Sequence, residues 1–450
     1  MRLYLSLFLL VLAPGSSLLA QPAEATGYAA KADSIIRSYA DEGLYRGAVI
    51  VVKDGQPIFR KAYGMANSEW DIANTPDTKF RIGSITKQFT AIAILQLAEQ
   101  GKLKLDDAVA QHYDGAPAAW EKITIHHLLN HTSGIPSYTG IKDFFEKSSR
   151  NPLTPAEIVK LTQDQALEFE PGSQFKYNNT GYVLLGHVIE KASGMNYADY
   201  VRKNIFEPAG MKDSGYDTHA DVLKKRATGY LPNGKIAPYI DMTLPHAAGS
   251  LYSTVDDFVK WDQALHSGKL VSPESWKLMT TPGKSDYGYG LNIKPVAGHA
   301  AMAHGGGING FNTHFIRVPE ERLAVAVFSN VNGPAADTLA MALARLYFGE
   351  DVKGREKFTG ITLSEAELEA FAGTYELAPT FSIKVKREGA QLIAQATNQP
   401  AFSVTPYAAN KFFVKVVDAQ LEFTRNAEGK VESLILHQGG RSMPGKRVGD

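Results

Sequence analysis

Apolar residues recur at two different periods along this chain, and the changes of period divide it. From Arg46 to Lys53 and from Gln56 to Tyr63, two strand-like runs flank Asp54-Gly55, a turn pair that predicts a β-hairpin. The same texture returns at Phe311 to Val318 and Leu323 to Asn330, around the polar turn Pro319-Glu320-Glu321-Arg322. Helix-period stretches lie outside both pairs, at Lys31 to Ala40 and at Ala335 to Phe348, and the chain between the two ends reads as largely helical and loop-rich. The simplest architecture is α/β (α+β): an antiparallel β-sheet built from the first and last strands, flanked by helices, with an inserted all-helical region. From about Gly360 the pattern changes. A short helical segment at Ser364 to Phe371 precedes about six strand-like runs: Phe381 to Arg387, Gln391 to Gln395, Phe402 to Thr405, Lys411 to Val417, Leu421 to Arg425 and Val431 to His437. These predict a small all-β domain.

Composition narrows the function. The 450 residues, 44% hydrophobic, suffice for about two to three domains with a core in each. Forty-seven basic side chains balance forty-seven acidic ones, so no net field draws the chain to nucleic acid. With no cysteine, a thiolate nucleophile, a disulfide and a cysteine zinc site are all excluded, and covalent catalysis must come from a hydroxyl, an amine or a carboxylate. Arg2 precedes an apolar run from Leu3 to Leu12, broken at Pro14-Gly15, which reads as a secretory signal peptide over residues 1–20, cut after Ala20 or near Ala23-Glu24-Ala25. A run of about ten residues is too short to span a bilayer, which needs roughly twenty. The expected product is a periplasmic or secreted protein with no stable membrane span after cleavage, a domain over 28–350 and a second over 360–450.

Three segments carry candidate chemistry. The first runs from Phe80 through Ser84-Ile85-Thr86-Lys87 into the apolar stretch Thr90 to Gln100 and stops at Gly101, the pattern of a buried helix. If that helix starts near Ser84, the Ser84 hydroxyl lies at its positive end, the Ser84 N–H is an unpaired donor, and Lys87 lies one turn on along the same face. A desolvated Lys87 would share its work as base. Ser84 as a plain N-cap and Lys87 as a surface residue is the alternative. The second segment is Tyr177-Asn178-Asn179, ahead of the amphipathic run Val183 to Ala192: a tyrosine near cations can carry a proton, and an asparagine can bind a substrate amide. The third is His304-Gly305-Gly306-Gly307-Ile308-Asn309-Gly310, before a predicted strand, where glycines would let a substrate lie close to backbone N–H groups. A dinucleotide loop lacks its following helix and acidic residue. An α/β-hydrolase oxyanion loop lacks its Gly-x-Ser-x-Gly partner. A glycine-rich turn stays open as a reading.

Ser84-x-x-Lys87, Tyr177-x-Asn179 and His304-Gly305-Gly306, in that order, resemble the three motifs of the serine β-lactamase and penicillin-binding-protein family, most closely its class C β-lactamase and DD-peptidase branch. Ile123 to Pro136, with His131-Thr132-Ser133-Gly134, and Ala248 to Phe258 are similar to that family's signature stretches. The resemblance covers about residues 30 to 350. It implies an acylated Ser84, proton transfer by Lys87 and Tyr177, substrate binding by Asn179, His304, Gly305 and Gly306, and an oxyanion hole from the N–H groups of Ser84 and Gly307. It implies no cofactor and no metal. The partner expected is a small-molecule or peptide substrate. Many members carry lysine where this chain has His304; a histidine is mostly neutral at pH 7, so substrates with a firmly held terminal carboxylate are disfavoured. The tail, with Ala372-Gly373-Thr374-Tyr375-Glu376, resembles a lipocalin-like β-domain.

Other residues have their own readings. His127 and His131 are four apart, as zinc ligands on a helix would be, but no Glu follows His127, so packing of a helix and its turn is the expectation. Ser133 has no lysine at helical spacing. Tyr287-Gly288-Tyr289-Gly290 is read evenly as cleft wall or core. Two functions follow: a hydrolase that completes an acyl-enzyme cycle, or a sensor of peptidoglycan fragments or β-lactams in which deacylation stalls.

Overall fold

In the computed structural model, which describes residues 23–449 except 219, 400, 415–418 and 439–440, the first hairpin forms as the pattern predicts, from Gly47–Lys53 and Gln56–Tyr63. The proposed signal peptide lies outside the described residues. Six antiparallel strands make the main sheet, in the order Gln56–Tyr63, Gly47–Lys53, Leu323–Ser329, Phe311–Val318, Met302–Ile308 and Asn292–Ile293. Chain ends far apart in sequence therefore meet at its centre, where Val49 faces Val327 and Val51 faces Val325.

Period-two burial assigns the two faces of this sheet. Val49, Val51, Val325 and Val327 pack under the helices Ala23–Ala40 and Ala335–Tyr347. Ala48, Ile50, Val52, Ala326 and Phe328 face the inserted region, whose main helices are Thr86–Glu99, Asn179–Ser193 and Val255–His266. The Thr86–Glu99 helix is buried on nearly every side, and Phe89 stacks on Trp261 at 4.2 Å. A helix apolar all round needs such surroundings.

Two readings of the pattern change. The His304 glycine string is itself part of a strand, Met302–Ile308, joined to Phe311–Val318 by the two-residue turn Asn309-Gly310. The C-terminal domain has eight strands closed into a barrel, where the pattern predicted about six. The additional ones are Gly373–Ala378 and Arg441–Gly449. The barrel has its own core, including Phe371, Tyr375, Phe412 and Phe423. Among the described residues, no helix is long and apolar enough to cross a membrane.

Candidate active site

The short strand Phe80–Arg81 feeds a 3-10 turn over Gly83–Ile85, and the helix Thr86–Glu99 follows without a break. Ser84 thus sits in the tight turn before the α-helix rather than inside it. Gly83 has φ +51°, and a Cβ there would lie 2.8 Å from the Gly307 nitrogen, so both its conformation and its neighbours demand glycine. One turn on, the fully buried Lys87 places Nζ 3.1 Å from Ser84 Oγ, 2.9 Å from Asn179 Oδ1 and 2.9 Å from the Ala248 carbonyl. Among the described residues no carboxylate pairs with this amine. Burial without a counter-ion holds its pKa well below the ordinary lysine range. The amine also lies 4.7 Å from the centre of the Tyr177 ring and 5.3 Å from that of Tyr182.

Asn178 caps the helix Asn179–Ser193, accepting from the Gly181 N–H at 2.7 Å, and this fixes Asn179 at the helix start, earlier than the sequence pattern predicted. Asn179 is held on two further sides: its N–H donates to Ser137 Oγ at 3.2 Å and its Nδ2 to Thr139 Oγ1 at 3.3 Å. Tyr177 keeps 37% of its surface exposed, but its hydroxyl neighbours that of Ser84 and its pKa is pushed up, by desolvation first and against the opposing pull of Ser84. Surface exposure of the ring does not alter this direction, because the charge of a phenolate would sit on the oxygen at the crowded inner end. The tyrosine is therefore a neutral phenol at pH 7.

In a hairpin with a two-residue turn, Ile308 and Phe311 exchange hydrogen bonds, and the pairing then alternates along the strand. By this alternation the N–H and C=O of Gly305 and Gly307 point away from Phe311–Val318, toward the free edge beside Ser84. Gly306 lies against the turn before Ser84: a Cβ there would fall 1.9 Å from the Ile82 carbonyl oxygen and 2.5 Å from Thr313 Oγ1. A Cβ on Gly305 would meet Asp337 and His314, and one on Gly307 only Asn312 at 3.5 Å. His304 is 4% exposed, with Nε2 2.9 Å from Tyr287 Oη and Nδ1 2.6 Å from the Gly305 carbonyl. Desolvation first, and then the neighbouring Lys87, lower its pKa to about 3, so the ring is neutral.

These groups border a cleft of about 220 Å³ lined by Gly83, Ser84, Asn179, Gly307 and nine residues that the motifs did not single out as cleft residues. Tyr138, Phe145, Ile240, Pro245, Ala248 and Ile308 make it apolar; Thr139, Gly249 and Asn309 complete it. None of the lining side chains is charged. Lys87, Tyr177, His304, Gly305 and Gly306 are not in this lining: they stand behind or beside it. Ala248 and Gly249 lay inside a signature stretch, the one signal by which they could have been found; Phe145 and Ile240 had none.

Residues 32–349 match the beta-lactamase family. The chain belongs to that family. Residues 359–447 match a domain of unknown function, DUF3471, which is the barrel. A penicillin-binding protein of Bacillus subtilis is 28% identical over 90% of this chain and 96% of its own. An octameric penicillin-binding protein homologue from Pyrococcus abyssi is 30% identical, with a TM-score of 0.65, over 93% of this chain and 99% of its own. A D-stereospecific amidohydrolase from Streptomyces sp. is 27% identical, with a TM-score of 0.60, over 71% of this chain and 98% of its own. This beta-lactamase family chain is a serine hydrolase.

The other expectations resolve into packing. His127 sits in a capping box, accepting from the Thr124 N–H at 3.2 Å. His131 lies beyond that helix, so the two histidines share no helical face. Ser133 Oγ accepts from the Ile135 N–H at 3.3 Å. Tyr287 and Tyr289 are buried, bonded to His304 and His126, and neither lines the cleft.

Proposed function

We propose that this protein is a secreted serine hydrolase that forms an acyl-enzyme on Ser84 and cleaves ester or amide bonds, of the esterase, D-amino-acid amidase or DD-carboxypeptidase type, in substrates that present no free carboxylate to the cleft. The observation that carries the reading is the contact of 3.1 Å between Ser84 Oγ and an amine buried without a counter-ion. A neutral Lys87 can donate to Asn179 and Ala248 and turn its lone pair to the Ser84 hydroxyl. It takes the hydroxyl proton as Oγ bonds to the substrate carbonyl carbon. The N–H groups of Ser84 and Gly307 receive the charge on the carbonyl oxygen. Tyr177 passes a proton to the leaving alkoxide or amine, which departs as the tetrahedral adduct collapses. Water then attacks the ester on Ser84 and gives its proton to the Tyr177 phenolate, and Lys87 returns the proton it took to Ser84 Oγ as the acid leaves.

Substrate class follows from charge. The cleft wall holds no lysine, arginine or histidine, and His304 is neutral and engaged by Tyr287 and Gly305. A terminal carboxylate would lose its hydration there with no cation in return. Secretion is supported by the Arg2, Leu3–Leu12 and Pro14-Gly15 pattern alone.

Intact mass after fluorophosphonate treatment tests the nucleophile. Wild type gains one adduct and Ser84→Ala gains none; equal labelling of the two removes Ser84 from the mechanism. With an activated ester, turnover past the burst marks the hydrolase, and an adduct that persists marks the sensor. Cephalosporin turnover near the rate of the best ester overturns the substrate assignment.

A further inference from the structure

His131 is 1% exposed and backs the reactive pocket without entering it. Its backbone holds φ +60°, a left-handed conformation that β-carbon-bearing residues seldom adopt. What this conformation achieves is visible in its contacts. The His131 carbonyl accepts from the Lys176 N–H at 3.0 Å, while its Nδ1 accepts from the Asn178 N–H at 3.2 Å. The two residues flanking Tyr177 are thus tied to one and the same histidine. Between the ties, the His131 ring lies 4.4 Å from the ring of Tyr177, centre to centre. On its other sides it meets Tyr287 at 4.7 Å, Tyr182 at 5.1 Å and Phe175 at 5.9 Å.

We propose that His131 is a positioning residue for Tyr177, a clamp that grips the chain on both sides of it and fixes its phenol against Ser84. The proposal rests on the acyl-enzyme reading above. It also specifies a protonation state. Nδ1 can accept from Asn178 only while it carries no proton, so the clamp needs the neutral tautomer with hydrogen on Nε2. A second proton would set two donors face to face and open the tie on the Asn178 side. The surroundings defend the neutral form. The titratable groups facing the ring are Lys87, His304, Tyr177, Tyr182 and Tyr287, none of them an anion at pH 7, and burial, Lys87 and His304 all push the histidine toward neutrality. Nε2 is enclosed without a hydrogen-bond partner, so the ring gains nothing from presenting a second charged donor.

Two substitutions separate clamping from packing. His131→Phe keeps an aromatic ring and loses the Nδ1 acceptor. His131→Asn loses the ring but can return an acceptor near the Nδ1 position, and asparagine tolerates the left-handed backbone. Steady-state kinetics on an activated ester, with thermal melting of each variant, supplies the measurement. His131→Phe lowers kcat by about 10²-fold, the cost of a misplacement of about 1 Å, with KM unchanged, and His131→Asn recovers most of that loss. Wild-type kcat in His131→Phe overturns the proposal, and so does an Asn variant no faster than the Phe variant when both melt alike. Fluorophosphonate labelling distinguishes the two readings. An unlabelled Ser84 in wild type sinks the acyl-enzyme itself, whereas equal labelling rates in wild type and His131→Phe sink only the clamp.

Discussion

Lys87 shows how one residue trades stability against reactivity. Its folded pKa lies below that of an exposed lysine, so between the lowered value and the ordinary lysine range the unfolded chain binds a proton that the folded chain does not. Stability therefore falls as pH falls through that window and rises as pH rises through it. In the mechanism proposed above, rate moves in the same direction, since only a neutral amine can take the Ser84 proton. Lys87→Met removes both effects. Its kcat/KM for an activated ester is expected to drop by about 10² to 10⁴-fold, the usual contribution of a general base. In urea titrations from pH 7 to pH 9, the stability of wild type relative to the variant rises with pH. A constant difference across that range would show that the amine is protonated in the fold.

At the scale of elements, one strand is pressed against one turn where the proposed oxyanion site lies. Gly306 has no room for a methyl group because the Ile82 carbonyl occupies its place, and any shift of Met302–Ile308 carries the Gly307 N–H with it. Gly306→Ala is expected to lower kcat by about 10²-fold or more, as loss of one oxyanion donor does. Gly307→Ala, whose Cβ meets only Asn312 at 3.5 Å, keeps its N–H and most of the rate. Similar rates in the two alanine variants, each folded by circular dichroism, would detach the strand from the oxyanion role. The sequence marked these glycines but not their strand, because a run of glycines has no side-chain alternation to read. The hairpins were legible for the opposite reason: Gly47–Lys53 and Leu323–Ser329 are short runs rich in β-branched residues, buried on both faces and bounded by clear turns. Arg441–Gly449 was hidden by Pro444 and its charges, with Gly445 its one buried residue. Ser84, Asn179 and Gly307 came from the motifs, whereas Phe145 reaches the cleft from the one-turn helix Phe144–Lys147 and Ile240 from a loop, and no local pattern dictates where either lies.

On the scale of the whole molecule, chemistry and barrel are separate in their packing. The sheet and inserted region share two buried clusters that contain no barrel residue, and the barrel fills itself with Phe371, Tyr375, Phe412 and Phe423. The cleft is lined wholly from residues 83 to 309. The connecting segment is anchored to the hydrolase side, where the Arg355 N–H donates to Ser38 Oγ at 2.7 Å and its guanidinium pairs with Glu42. A chain ending after residue 358 keeps that anchor and loses only the barrel. It is expected to fold and to retain kcat/KM for a small activated ester within about threefold, since no group that orients the reacting atoms is removed. A larger fall confined to bulky or polymeric substrates would assign the barrel to the rim of a longer substrate path. A fall of the same size for the small ester, in a truncated chain that melts cooperatively, would mean that the barrel shapes the cleft through the residues between 350 and 360.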